Sequence, residues 1–229
     1  MSISRLCLAA ASAACVLATV SPGRAQNSGP AYVVSYIEVA PSSKGSARTL
    51  LRAFRDASRK EAGSTGFEVL QRIDRPQHFV VLEQWKDAKA QTDHAASAGT
   101  KQFEDRLKPL LVAPYDERPS FGFLVGRAKD PSARSVYAVT HVDFVGAKKD
   151  DGLAALKQLA TASATEPQVQ RFDILQQNNR PNHITLVEAW SGMSTLEAHE
   201  RGEPSRKFRN ALLPIGGALY DQRLLRAID

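Results

Sequence analysis

The chain has 229 residues, 43% of them hydrophobic and 24% charged, with a formal net charge of +6. At roughly 150 residues per domain that length holds one large body or two small ones, and the composition excludes a disordered tail, a collagen-like fibre and a multi-span membrane protein. Two cysteines are too few for a disulfide scaffold or a cysteine-rich zinc site.

The first 25 residues read as a secretory signal. Arg5 supplies the charged start, the run Leu6–Val20 is apolar, and Pro22 with Ala25 marks the break and the cut. That run spans 15 residues, short of the ~20 that a membrane-spanning helix needs. Cleavage after Ala25 removes both cysteines, Cys7 and Cys15, together with Arg5 and Arg24, so 28 basic residues face 24 acidic ones and the charge falls to +4. The expected mature protein is exported, without cysteine and without a stable membrane span.

The remaining chain divides into 31–125, a linker over 126–135, and 136–227. A run of β-branched and aromatic residues, Tyr32–Val39, predicts a strand. Leu50, Leu51, Phe54 and Ser58 then recur at helical spacing, with Ser42 or Ser43 available as a cap. Phe67–Ile73 and His78–Trp85 are two strands joined by the turn Asp74-Arg75-Pro76-Gln77. A helical segment carrying His94, a break near Gly99, a second short helix through Leu107 and a last strand from Tyr115 complete the unit. The same order recurs from Tyr137, with His199, a break near Pro204, Leu212 and Tyr220 in corresponding places.

One offset of 105 residues aligns Tyr32–Arg118 with Tyr137–Arg223 without a gap, and about 23 of the 87 positions are identical. A period of this kind means a duplicated structural unit. Each β-α-β-β-α-β copy predicts a four-stranded antiparallel sheet with helices on one face. Phe79-Val80-Val81-Leu82 and Ile184-Thr185-Leu186-Val187 are apolar on both faces, so the second sheet face must also be covered. The expected fold is α+β: two ferredoxin-like repeats closing on each other as an intramolecular pseudo-dimeric α/β barrel. The expected assembly is a monomer of this kind, with a homodimer open through an outward-facing edge strand.

Glu83-x-Trp85, then His94, then Phe103, repeated as Glu188-x-Trp190, His199 and Phe208, resembles the antibiotic biosynthesis monooxygenase domains. The resemblance implies the same barrel and a reaction without metal, flavin or other cofactor, in which dioxygen directly oxidises a small phenol or quinol. Such chemistry needs a base, a wall against water and polar groups to hold oxygens. Trp85 and Trp190 are the candidate pocket walls, and His94 and His199 the acid–base or positioning groups. Gln71 and Gln176, polar residues on apolar strand faces, are candidate substrate contacts because a buried amide needs a partner. Each of these residues also has a packing role open to it. Tyr36 of the first copy corresponds to His141 of the second; Tyr36 is a candidate substrate contact and His141 a candidate catalytic group, which makes the second copy the better candidate for a working pocket. Haem-degrading relatives use an asparagine on this strand; here it offers Ser35-Tyr36 and Thr140-His141. No two histidines stand at i, i+4, so no metal site is expected. Arg48, Arg52, Arg55 and Arg59 form a basic stripe that the second copy lacks, too little for nucleic-acid binding. The expected partners are a small aromatic molecule and dioxygen.

Overall fold

The computed structural model describes residues 29–126, 129, 131–132, 134–218 and 220–228. The signal segment 1–25 therefore lies outside the described residues. The first repeat runs β1 (Ala31–Glu38), α1 (Lys44–Ser58), β2 (Ser64–Arg72), β3 (His78–Trp85), α2 (Ala88–Ala96), α3 (Ala98–Leu107) and β4 (Asp116–Leu124). The second runs β5 (Val136–Asp143), α4 (Lys149–Ser163), β6 (Val169–Gln177), β7 (His183–Trp190), α5 (Met193–Arg201), α6 (Glu203–Leu212) and β8 (Asp221–Ala227).

Local chemistry accounts for the boundaries. Helix α1 buries Ala47, Leu50, Leu51, Phe54 and Ser58 along one stripe. Ser43 occupies its N-cap position, yet neither expected serine cap forms a side-chain bond there. The break between the paired helices falls at Ser97, whose hydroxyl accepts from the Thr100 amide at 3.1 Å, and at Gly202, which Pro204 follows inside the next helix. Pro at a helix start leaves no donor unsatisfied that would otherwise be bonded.

Within each repeat the strands lie in the order 4-1-3-2, all antiparallel, and the two sheets join into one closed barrel, β1-β3-β2-β8-β5-β7-β6-β4. One seam pairs β2 with β8 through Leu70–Ala227, Gln71–Arg226 and Arg72–Leu225. The other pairs β4 with β6 from Ser120–Gln177 to Leu124–Ile174. Closure gives every strand a neighbour on each side, although the seams pair only Leu70–Arg72 of β2 and Ser120–Leu124 of β4, so among the described residues no strand is an outer edge strand.

Period-two alternation then divides the apolar residues among three cores. Tyr32, Val34, Leu70, Val80, Leu82, Tyr137, Val139, Leu175, Val187 and Leu225 fill the barrel interior. The opposite faces of the same strands meet the helices, in one core around Trp85, Phe103 and Leu51 and another around Trp190, Phe208 and Leu156. Two of the four stripe arginines serve this framework. Arg55 donates to the Ile228 carbonyl, and Arg59 donates to that of Phe67 at 2.7 Å.

Candidate active site

Each repeat buries a constellation of polar groups between its sheet and its helices. Strand β3 carries Glu83 and Trp85 on its helix-facing side, and α2 brings His94 against them. The indole Nε1 of Trp85 donates to Glu83 Oε2 at 2.9 Å. The rings of Trp85 and His94 stack with centroids 4.4 Å apart. His94 Nδ1 is 2.9 Å from Glu61 Oε2, and its Nε2 faces Thr100 Oγ1 at 3.4 Å and Glu83 Oε2 at 3.8 Å.

The second repeat rebuilds this arrangement from β7 and α5. Trp190 Nε1 donates to Glu188 Oε2 at 3.0 Å, and the Trp190 and His199 rings again stack at 4.4 Å. His199 Nδ1 meets Glu166 Oε1 at 2.8 Å, while Nε2 lies 3.1 Å from Ser205 Oγ and 3.5 Å from Glu188 Oε2. Trp85, Trp190, His94, His199, Glu83 and Glu188 are all buried.

Burial disfavours the charged carboxylate. It pushes Glu83 up to about 8, against the lowering effect of the Trp85 indole, with Glu117 and Glu61 adding to the rise. Glu188 goes to about 7, because its own burial outweighs the lowering by His199 and the Trp190 indole. A carboxyl poised near neutrality beside an imidazole can take up or release a proton under ordinary conditions.

The remaining sequence candidates are dispersed. Gln71 and Gln176 each donate to the carbonyl of their own hairpin turn, Pro76 and Pro181, at 2.5 Å, so both amides close the β2–β3 and β6–β7 turns. Tyr36 and His141 are not beside the tryptophans. Both project into one end of the barrel interior, on the sheet face opposite Trp85 and Trp190. Tyr36 lies between the guanidinium groups of Arg118 and Arg223, 4.6 and 4.3 Å from its ring centroid. His141 Nε2 is 3.2 Å from His183 Nδ1. Burial, then Arg118, then His183 bring His141 down to about 4. The structure therefore joins Trp190 with His199 and places His141 elsewhere.

Glu61, Glu166, Thr100 and Ser205 complete the constellations and were not among the sequence candidates. The signal for the two glutamates was present, since Glu61 and Glu166 are identical at the 105-residue offset.

The repeats differ in the space beside these groups. Leu111-Val112 of the first repeat correspond to Gly216-Gly217 of the second. Leu111 packs against the first helix-side core, whereas Gly216 leaves a mainly apolar cleft of about 340 Å³ lined by Val142, Leu212, Leu213, Ala218 and Tyr220 together with Asp143 and Arg209. The Tyr220 hydroxyl, at the edge of this cleft, is raised by burial and then by the Glu188 carboxylate, while Glu188, Trp190 and His199 themselves do not line it. Further out, Phe54 stacks on Phe103 at 3.8 Å and narrows the α1–α3 groove to about 150 Å³. Leu159 stands at the corresponding place, and the α4–α6 groove holds about 380 Å³.

A closed eight-stranded antiparallel barrel of two βαββαβ units, each with a buried Glu-Trp-His group under its helices, defines a tandem dimeric-barrel protein of the monooxygenase type. The sequence profile of the Antibiotic biosynthesis monooxygenase family matches twice, over residues 30–106 and 135–211, and the chain belongs to that family. It is 30% identical over 82 residues to the "Putative monooxygenase YcnE" of Bacillus subtilis (strain 168), covering 36% of this chain and 86% of that one. Among solved structures, the "Putative monooxygenase (FN1347)" of Fusobacterium nucleatum superposes with a TM-score of 0.79 at 12% identity, over 89% of this chain and 94% of its own. An "anthrone oxidase-like protein" superposes at 0.70 with 12% identity, over 89% and 93%. Both span the two repeats, and at such identity they speak for the fold.

Proposed function

We propose that the protein is an exported, cofactor-independent monooxygenase that oxidises small phenols or quinols with dioxygen, and that the second repeat holds the working site. The observation that carries this reading is the buried group in which Trp190 donates to Glu188 and His199 Nε2 lies 3.5 Å from it, in the repeat where Gly216 opens a cleft at Tyr220. Loss of a phenolic proton leaves an electron-rich anion, and that anion gives an electron to dioxygen. For a phenol with a ring C–H, one oxygen atom enters the ring as a carbonyl and the other leaves as water with the two hydrogens the substrate yields. Glu188 is the acceptor of the first proton, His199 its partner and Trp190 the wall that keeps water out. The signal pattern of residues 1–25 supports export. A second reading, a non-catalytic small-ligand-binding protein on the same barrel, is favoured by the first repeat, where Leu111 and the Phe54–Phe103 stack occupy the corresponding space.

Oxygen uptake by the purified, chelator-treated protein given menadiol or a naphthol separates the two. The expected result is consumption above the autoxidation blank, lowered more by Trp190→Phe and His199→Ala than by Trp85→Phe and His94→Ala. Saturable binding of several such compounds with no oxygen uptake above the blank would leave the binding protein and sink the enzyme.

A further inference from the structure

A line of titratable groups runs from the surface to Glu188, hydrogen-bonded at its outer link and 3.5 Å apart at its inner one. Its outer end is Glu166, in the turn after α4, whose side chain is 30% exposed while that of Glu188 is 3% exposed. Between them His199 presents Nδ1 to Glu166 at 2.8 Å and Nε2 to Glu188 at 3.5 Å, with Ser205 Oγ beside Nε2 at 3.1 Å. The first repeat has the same order with a longer inner link: Glu61, 35% exposed, then His94, then Glu83, 4% exposed and 3.8 Å from His94 Nε2. Packing alone does not need two acids on opposite nitrogens of one buried imidazole, one acid wet and the other dry.

We infer that Glu166–His199–Glu188 is a proton relay between the buried site and water, with Glu166 as the group that exchanges protons with solvent. The inference deepens the proposed function and rests on it only for where the proton comes from. With Nδ1–H donated to the Glu166 carboxylate, Nε2 offers its lone pair toward Glu188. A proton passes from the Glu188 carboxyl to Nε2 as the Nδ1 proton passes to Glu166. The products are a Glu188 carboxylate, the other neutral imidazole tautomer and a protonated Glu166, which loses its proton to water, so charge and protons balance. Glu200 and Tyr220 are the other ionisable groups facing Glu188. Glu188 also accepts the Trp190 indole N–H, so the relay ends on a group that spectroscopy can follow.

The chain has two tryptophans, and each indole N–H reports on one relay. In the ¹⁵N-labelled protein, Glu166→Gln is expected to slow solvent exchange of the Trp190 indole N–H by about a hundredfold, the low end of what a positioned acid or base contributes to proton transfer. The Trp85 indole is expected to keep its rate. Glu61→Gln should do the reverse, and it carries the test alone if Glu166→Gln fails to fold. Unchanged exchange in the mutated repeat, or equal changes at both tryptophans, would overturn the relay. The outcome is independent of turnover: reciprocal exchange without oxygen uptake keeps the relay and removes the reaction, and oxygen uptake without reciprocal exchange does the opposite.

Discussion

The buried acids and His141 give the protein's stability opposite dependences on pH. Glu83 and Glu188 have folded-state pKa values of about 8 and about 7 against 4.5 for the free group. Between those limits the folded state binds more protons than the unfolded one, so their contribution is full below about 4.5 and is lost as pH rises through 7 to 8. His141 is held at about 4 against 6.5. There the unfolded state binds more protons, and stability is lost as pH falls from 6.5 toward 4. Melting temperatures across pH 4–9 are expected to show both limbs. Glu83→Gln with Glu188→Gln should flatten the alkaline limb, and His141→Gln the acid one. Slopes that survive these substitutions would mean that other groups set them. The same residues show which parts of the site were legible beforehand. Trp85, Trp190, His94 and His199 stood out because both copies retain them beside an aromatic core. The neighbourhood of His141 is not legible in the sequence, because β5 is apolar on both faces. Its alternation puts Thr140 on the helix side and His141 in the barrel, but an apolar run does not say which face is which.

At the scale of elements, the duplication gave the order of elements in each repeat and the doubly apolar strands gave the closure, because the copies agree on spacing wherever they disagree on residue type. The space around the site was harder to read, since it depends on the short segment after α6 rather than on any motif. Gly216 bridges to Phe144 as Leu111 bridges to Val39 in the first repeat, so the backbone is shared and only the side chain differs. Gly216→Leu restores the first repeat's residue. Its Cβ would lie 3.2 Å from the Leu212 carbonyl oxygen, a tight contact that calls for a shift of a few tenths of an ångström. Filling the cleft is expected to lower oxygen uptake at least about tenfold, equivalent to ~1.4 kcal/mol of barrier, with circular dichroism and the melting transition largely kept. Full activity in this variant would move the substrate site away from Tyr220.

For the molecule as a whole, the two repeats depend on each other most clearly at the barrel end where Arg171 lies. This guanidinium is 10% exposed and bonds Asp173 on its own strand and Glu68 on β2 of the other repeat, each at 2.5 Å. Tyr137 Oη donates to the same Glu68 at 2.7 Å. The position of Arg171 is Gly66 in the first repeat, so a single arginine serves two acids that the duplication placed together. The pair spans the interface between the halves, which makes it a device for holding them in register as well as a contact. Removing one partner of a buried pair strands the other charge, at a cost of about 3–5 kcal/mol, whereas replacing the whole group by neutral residues can be nearly neutral. Arg171→Met is therefore expected to lower the urea midpoint sharply, because it leaves Asp173, 3% exposed, without its cation. Adding Glu68→Gln and Asp173→Asn to that change should recover most of the loss. Both variants should unfold in one transition, since each sheet completes the other's flanks and neither repeat can open alone without freeing two strand edges. A separate early transition for one repeat, or a single Arg171→Met variant as stable as the parent, would show that the barrel seams hold without this pair.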